Sequence, residues 1–273
     1  VYTLAIKPYP GMKAATADVD RTKLPPLESA PEVKFPAAEK FTLSNGLPVM
    51  LVKRSSVPVV NLRLLVNAGY SADQTSKPGV SMMAMNMLTE GTKTRNALQI
   101  SDEFANLGAS LSTYASIDQS VLSMIALKAN LDQSLALFTD VLQNPVFPQK
   151  GLDRLKQEQL LNIKQEQAQP VLMGLRLIPR LLYGENHAYG MPFTGSGYEE
   201  TVKAINQNDL KKYYQDWFAP NNATLLVVGD ITKEELKAKL EPKLAGWKPR
   251  TVPQKAIADA PMPEKPRVII VDK

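Results

Sequence analysis

The chain has 273 residues, no cysteine and a single histidine. Without cysteine there can be no disulfide and no thiolate metal site. One histidine, His187, leaves no Ser-His-Asp or Cys-His arrangement to consider. Long apolar runs are also missing. Nothing approaches the roughly 18–20 residues that a bilayer-crossing helix needs, so no membrane span is expected. There is no Gly-rich phosphate loop. The net charge of +5 is spread along the chain, with no Arg/Lys block interleaved with aromatics, which argues against nucleic acid as a partner. No export signal is expected in the sequence as it stands. Val1 is followed by a polar, Pro-bearing segment, so such a signal has been removed or never existed. The lack of cysteine is compatible with an oxidising compartment such as the periplasm.

Hydropathy patterning divides what remains. Residues 1–38 are rich in Pro and Ala without helical or strand period and suggest a surface arm or linker. Order begins at "KFTLSNGLPVMLVK", where Asn45-Gly46 between two alternating runs predicts a hairpin. A third strand is expected near Val59–Val66. Helical spacing runs from Gly79 to Glu90. "SDEFANLGA" suggests another helix, with Ser101 as N-cap and Gly108 near its end. "SLSTYASIDQSVLSMIALKA" alternates on both sides of Asp118-Gln119 and predicts a second hairpin. An amphipathic helix follows and stops before Pro145. A long polar helix then carries Leu152, Leu155, Leu160 and Ile163. The run "ATLLVVGD" is a strand between two further helices.

That order predicts an α+β fold: a mostly antiparallel sheet with helices packed on one face. A domain over 39–248 is expected, followed by a Pro-rich linker and an apolar strand, "RVIIVDK", within 249–273. A strand is not stable alone. The expectation is a polypeptide that continues into a second domain; a terminal strand completing the first sheet is the alternative.

The stretch "GVSMMAMNMLTEGT", residues 79–92, is a Met-rich helix with a Gly-Thr exit. Thioethers suit Cu(I). However, Met82 and Met85 share one helical face while Met83 and Met87 share another, which fits core packing better than one ligand cluster. Taken with the Asn-Gly hairpin, "VNAGYSAD" and the block "LYGENHAYGMPFTGSGYEE…NNATLLVVGDI", this stretch resembles the pitrilysin/insulinase-type zinc metallopeptidases, which include the mitochondrial processing peptidases. The resemblance spans about Phe41 to Trp247.

The resemblance implies a specific loss. Active members carry H-x-x-E-H on the first long helix: two His bind zinc and the Glu activates water. Aligned on the flanking Gly and Gly-Thr, those His positions fall on Met82 and Asn86, and the base position falls on Met85. The distal Glu ligand falls at or near Asn162, with Glu158 and Glu166 a turn away. Methionine cannot be a general base, and thioethers and amides are poor zinc ligands. His187 matches a family turn where the ring would be structural, and the Asn222-Ala223-Thr224 sequon falls at a strand entrance. In active relatives an edge strand pairs with extended substrate; here that strand holds Ser112, Thr113, Tyr114 and Ala115, with Ser112 at the usual Asn. The expected role is a non-catalytic half that closes a chamber and helps hold peptides for a homologous zinc-bearing partner, as in a bacterial two-subunit enzyme. No cofactor is expected in this chain, with zinc in the partner, and the Arg/Tyr pair of the degenerate half would lie beyond Lys273. A structural core-type subunit without a part in proteolysis is the alternative, and a hydrolase with an unrecognised site a second one.

Overall fold

A computed structural model describes residues 36–260 and 265–271. The expected N-terminal arm thus lies outside the described residues except for positions 36–38. Six strands form one sheet: β1 (Glu39–Thr42), β2 (Pro48–Lys53), β3 (Val59–Val66), β4 (Ser110–Ala115), β5 (Ser120–Leu127) and β6 (Ala223–Gly229). Their order across the sheet is β1-β2-β6-β3-β5-β4. Every neighbouring pair is antiparallel except β2 and β6. The Asn45-Gly46 turn closes the first hairpin. Gly46 has φ 86, where a side chain would be strained, and its N–H donates to Leu43 O at 2.9 Å. Asn45 also anchors the turn to the far end of the domain, donating from Nδ2 to Trp247 O at 3.2 Å.

Period-two alternation decides which face of the sheet is covered. In β3, Val60, Leu62, Leu64 and Val66 are buried while Asn61 and Arg63 are exposed. Leu225 and Val227 of β6 and Leu122, Met124 and Ala126 of β5 join the buried set. The helices supply the other half of that core: α1 (Val80–Met87), α2 (Ala97–Asn106), α3 (Leu131–Gln143), α4 (Gln149–Ala168), α5 (Pro170–Tyr183), α6 (Glu199–Ala204), α7 (Gln207–Trp217) and α8 (Lys233–Leu244). Burying each such Leu, Val or Phe side chain contributes about 1.5–3 kcal/mol. The α+β expectation, a mostly antiparallel sheet with a helical layer, holds.

Helix α1 contributes Val80, Met83, Ala84, Met85 and Met87 to this core, each at most 2% exposed. Three of the four methionines are therefore packing residues. Asp73 begins the helix from a distance: its carboxylate accepts from Gly79 N–H at 2.8 Å, Ser81 N–H at 3.1 Å and the Ser81 hydroxyl at 3.1 Å. Two of the first unpaired helical donors are satisfied in this way.

At α2 the structure corrects the expected start. Ser101 lies inside the helix, and the N-cap is Asn96. Asn96 Oδ1 accepts from Gln99 N–H at 2.9 Å, and Gln99 Oε1 accepts from Asn96 N–H at 2.9 Å. This reciprocal capping box satisfies two donors, and Ser101, five residues later, cannot compete with it. The helix ends at Leu107 with Gly108 at φ 61, as expected of a glycine exit.

Residues 249–260 run over the surface of the same domain. Arg250 N–H donates to Asn221 Oδ1 at 3.1 Å, and Lys255 Nζ donates to Asn67 Oδ1 at 2.8 Å. His187 contributes as well. Its Nδ1 accepts from Tyr189 N–H at 2.9 Å, so Nε2 is the protonated nitrogen and donates to Ala258 O at 2.7 Å. The ring stacks on Tyr183 with centroids 5.1 Å apart, a local structural role. Asn222 is equally committed, donating from Nδ2 to Trp217 O at 2.9 Å. Residues 265–271 form no strand among the described residues; Ile269 and Val271 lie against α5, while Val268 is 91% exposed.

Candidate functional site

Helix α1 packs against β4, β5, α4 and α7, and α4 packs against α5 and α6. Where α1 meets α4 a cavity of about 380 Å³ opens. Met82 and Asn86 face it from α1, and Asn162 faces it from α4. Three of the four positions that the resemblance assigns to the metal site are therefore side by side. The fourth is not: Met85 is fully buried in the core and does not line the cavity. Glu158 and Glu166 line it too.

The spacing along α4 explains the lining. Glu158, Asn162 and Gln165 recur at i, i+4 and i+7, one stripe of a helix, and Gln169 extends it beyond the last turn. Helix α4 stops there because Pro170 follows; the residue before a proline is driven out of the helical region, and Gln169 has φ −105 and ψ 122. Pro170 then opens α5, where its missing N–H costs nothing.

The floor of the cavity is a closed polar network. Arg176 of α5 donates from Nη1 to Glu166 Oε2 at 2.6 Å and to Ser196 Oγ at 2.6 Å, and from Nη2 to Gly197 O at 2.7 Å. Glu166 Oε2 also accepts from Ser196 Oγ at 2.7 Å and Thr194 Oγ1 at 3.1 Å. Both charged side chains are largely out of water, at 8% and 13% exposure. Gln159 completes the floor, donating from Nε2 to Ser196 O at 2.7 Å. Its Oε1 is buried without a partner among the described residues. Gly79 makes this approach possible: it has φ 98, and a Cβ there would lie 3.0 Å from Gln159 Nε2 and 3.1 Å from Ser196 O.

This donor set does not fit zinc. No imidazole or thiolate is present, and the remaining candidates are a thioether and carboxamides. Both carboxylates are already engaged, Glu166 by Arg176 and Glu158 by Arg154 Nη1 at 2.7 Å. Among the described residues no group of three or more His, Asp or Glu is placed to hold a metal ion.

The four residues expected to contact peptide, Ser112, Thr113, Tyr114 and Ala115, lie on β4. This strand is at the edge of the sheet and pairs only with β5 among the described residues. Tyr114 is 44% exposed. None of the four lines the α1–α4 cavity. Sequence reasoning missed Gln159 and Arg176. The signal for Arg176 was a lone cation in the otherwise apolar run "VLMGLRLIP"; a charge there needs a buried partner.

Comparison with known proteins decides the family. Residues 49–188 match the insulinase family, peptidase family M16, and residues 204–273 match the M16 inactive domain. The chain belongs to peptidase family M16. It is 24% identical over 199 residues to the uncharacterized zinc protease YmxG of Bacillus subtilis, covering 73% of this chain and 48% of that protein. With the probable mitochondrial-processing peptidase subunit beta of Schizosaccharomyces pombe it shares 26% over 238 residues, covering 86% and 50%. The fold superposes on the crystal structure of an M16 inactive domain from Pseudomonas fluorescens with TM-score 0.75 and 25% identity, covering 85% of this chain and 55% of that one. The periplasmic protease PqqL of Escherichia coli shares the fold, with TM-score 0.72 at 23% identity over 82% of this chain and 25% of that one. This M16 chain thus spans about half the length of the curated relatives named here. Among its described residues no helix is long and apolar enough to cross a membrane.

Proposed function

We propose that this chain is a non-catalytic part of a two-part M16 zinc metallopeptidase. It closes the substrate chamber and helps hold extended peptides for a homologous partner that carries the metal. The observation that carries this reading is the cavity between α1 and α4: Met82, Asn86 and Asn162 stand together where the resemblance puts ligands, and Met85, at the base position, is sealed in the core. The lining offers no imidazole or thiolate, and its two carboxylates, Glu158 and Glu166, are each paired with an arginine, which argues against zinc chemistry here. What remains available is main-chain recognition. Strand β4 has one edge unpaired among the described residues, and backbone pairing with an extended peptide needs no particular side chain. Zinc chemistry then belongs to the partner, and this domain contributes positioning. The name of the S. pombe relative, a subunit of a processing peptidase, supports a heterodimer, and the description of PqqL as periplasmic supports that compartment.

The test is a titration of an intact zinc-bearing M16 subunit with this protein, following hydrolysis of an extended peptide. The metal subunit alone should bind zinc and cleave slowly, and addition of this protein should raise the rate saturably. Full activity of the metal subunit by itself, unchanged by the addition, overturns the accessory reading and leaves a structural role.

A further inference from the structure

A second cavity, of about 480 Å³, opens where the C-terminal ends of α3, α7 and α8 meet, and it shares no lining residue with the α1–α4 cavity. Two distant stretches of chain bring cations to it. Lys93 comes from the segment after α1, and its N–H donates to Asn144 O at 3.1 Å, which sets it beside the end of α3. Lys248 and Arg250 come from the segment after α8. Among the described residues no Asp or Glu lines the cavity. The side chains of Lys93 and Lys248 make no hydrogen bond or ion pair there either.

The plainest role for a cation beside a helix C-terminus is to cap the last carbonyls. That role is already filled by other groups. Leu142 O of α3 accepts from the Tyr214 hydroxyl at 2.5 Å. In α8, Lys243 O accepts from Gln143 Nε2 at 2.9 Å and Leu244 O from Trp247 N–H at 3.0 Å. Phe218 O, at the end of α7, accepts from Trp247 Nε1 at 3.0 Å. Arg250 adds Nη2 to Phe218 O and Tyr214 O, which leaves its Nε and Nη1 uncommitted among the described residues. Two ammonium groups and half a guanidinium therefore face one cavity without an acceptor.

Like charges gathered round one space repel, and nothing in the lining offsets them. A cationic ligand would add to that repulsion. An oxyanion removes it: the Arg fork matches carboxylate or phosphate in a plane, and each Lys offers a point charge. The volume lies within the roughly 300–1,000 Å³ of small-molecule sites, so there is room for more than one such group. Trp247 and Tyr214 supply an apolar wall. Asn144 commits Nδ2 to Asp140 at 2.8 Å, and its Oδ1 remains to accept from a hydroxyl.

We propose that the cavity at the ends of α3, α7 and α8 binds a small ligand with two or more oxyanion groups, phosphate or carboxylate, held by Lys93, Lys248 and the free side of the Arg250 guanidinium. The ligand ties the segment after α1 to the segment after α8. This site goes beyond the accessory reading and stands or falls separately from it.

The test is calorimetric titration of the full chain with pyrophosphate and, separately, with citrate, at about 0.1 M ionic strength, where exposed charges more than ~10 Å apart are screened. In 15N-labelled protein the indole N–H of Trp247 reports from the cavity itself; the chain's other tryptophan, Trp217, does not line it. Saturable binding of at least one anion, with a shift of the Trp247 signal, is expected. Which anion binds tells phosphate from carboxylate. Lys93→Gln with Lys248→Gln should weaken binding about tenfold or more, as loss of charge-assisted hydrogen bonds predicts. Both lysines are exposed and unbonded, so this variant folds. The control Lys150→Gln with Lys211→Gln removes the same charge from exposed positions outside the cavity and should leave affinity within about twofold. Equal loss in the two variants means diffuse attraction to a basic chain and overturns the proposal. Affinity unchanged by the Lys93 and Lys248 substitutions overturns it, as does saturable binding that leaves the Trp247 signal unmoved. No heat and no shift with either anion at millimolar concentration overturns it as well.

Discussion

The Arg176 guanidinium lies 2.6 Å from the Glu166 carboxylate, and this pair joins α5 to α4 beneath the cavity. Around it, Ser196, Thr194 and Gly197 bring the 194–197 loop into the same network. Both charges are nearly out of water, so removing one strands the other. Arg176→Leu should therefore cost about 3–5 kcal/mol of unfolding free energy. The double variant Arg176→Leu with Glu166→Leu should recover much of that loss, because neither charge is then left unpaired. Recovery will be incomplete, since Gly197 O and Ser196 Oγ also lose a donor. Urea unfolding of the two single variants and the double variant forms the cycle. A loss below about 1 kcal/mol for Arg176→Leu, the range of an exposed pair, would show that the network is solvated rather than structural.

The start of α2 offers a second test. Asn96 and Gln99 exchange side-chain and backbone hydrogen bonds, each 2.9 Å long. Asn96→Ala should lower stability by about 0.5–2 kcal/mol. Ser101→Ala, within the helix on an exposed position, should change it by less than about 0.5 kcal/mol or slightly stabilise it. Thermal melts of the two variants decide between them; the reverse order would restore Ser101 as the cap.

That misplacement shows how the sequence was legible and where it was not. Strand β3 was read at Val59–Val66 and lies there, because eight alternating residues leave one register that buries the apolar set. Both hairpins were readable from Asn45-Gly46 and Asp118-Gln119, whose flanking runs alternate. A cap is a weaker signal: Asn96 and Ser101 are both good cap residues, and the apolar spacing of α2 suits either start. The cavity was harder still. Helical spacing puts Met82, Met85 and Asn86 on one side of α1, yet packing against the sheet buries Met85 completely while Asn86 stays exposed. Only tertiary contacts decide how far round a helix the core extends. Gln159 and Arg176 depend on a loop more than twenty residues away from either α4 or the start of α5, and no local pattern encodes that meeting.

Stability should respond to pH through two aspartates with opposite signs. Burial pushes the Asp73 carboxyl up to about 8, against the pull of the Gly79, Ser81 and Val80 donors. Its folded value exceeds the ~3.9 of an unfolded chain, so its contribution is fully present below about pH 4 and is lost as pH rises toward 8. Asp140 moves the other way. Burial raises it, but hydrogen bonds from Thr92, Asn144 and Arg95 outweigh that and hold it below the usual range. Its contribution is present above the unfolded value and lost as pH falls through the folded one. The carboxyl 13C signals of the two residues report this directly. Asp73 should titrate near pH 8 and Asp140 below an unfolded aspartate, while urea unfolding should show stability falling from pH 5 to 8. An Asp73 midpoint below about 5 would mean that its donors overcome burial.

Installing metal ligands tests the assignment of Met82, Asn86 and Asn162 to the ligand positions that the resemblance implies. Met82, Asn86 and Asn162 line one cavity, so Met82→His, Asn86→His and Asn162→Glu would place two imidazoles and a carboxylate around it. The wild-type chain should retain no stoichiometric zinc after dialysis, and the triple variant should retain some. Affinity should remain about ten- to a hundredfold below that of a native site, because no second shell orients the new ligands. Adding Met85→Glu should not create a peptidase. Met85 is fully buried and outside the cavity, so a carboxylate there would be desolvated rather than set against bound water. The quadruple variant should be less stable than the triple one, with raised urea sensitivity and no turnover of an extended peptide. Metal analysis, urea unfolding and a peptidase assay on the three proteins separate the outcomes. Tight zinc on the wild-type chain would refute the assignment of Met82 and Asn86 to lost ligand positions. Turnover by the quadruple variant alone would show that position 85 reaches the cavity and that no partner is needed for cleavage.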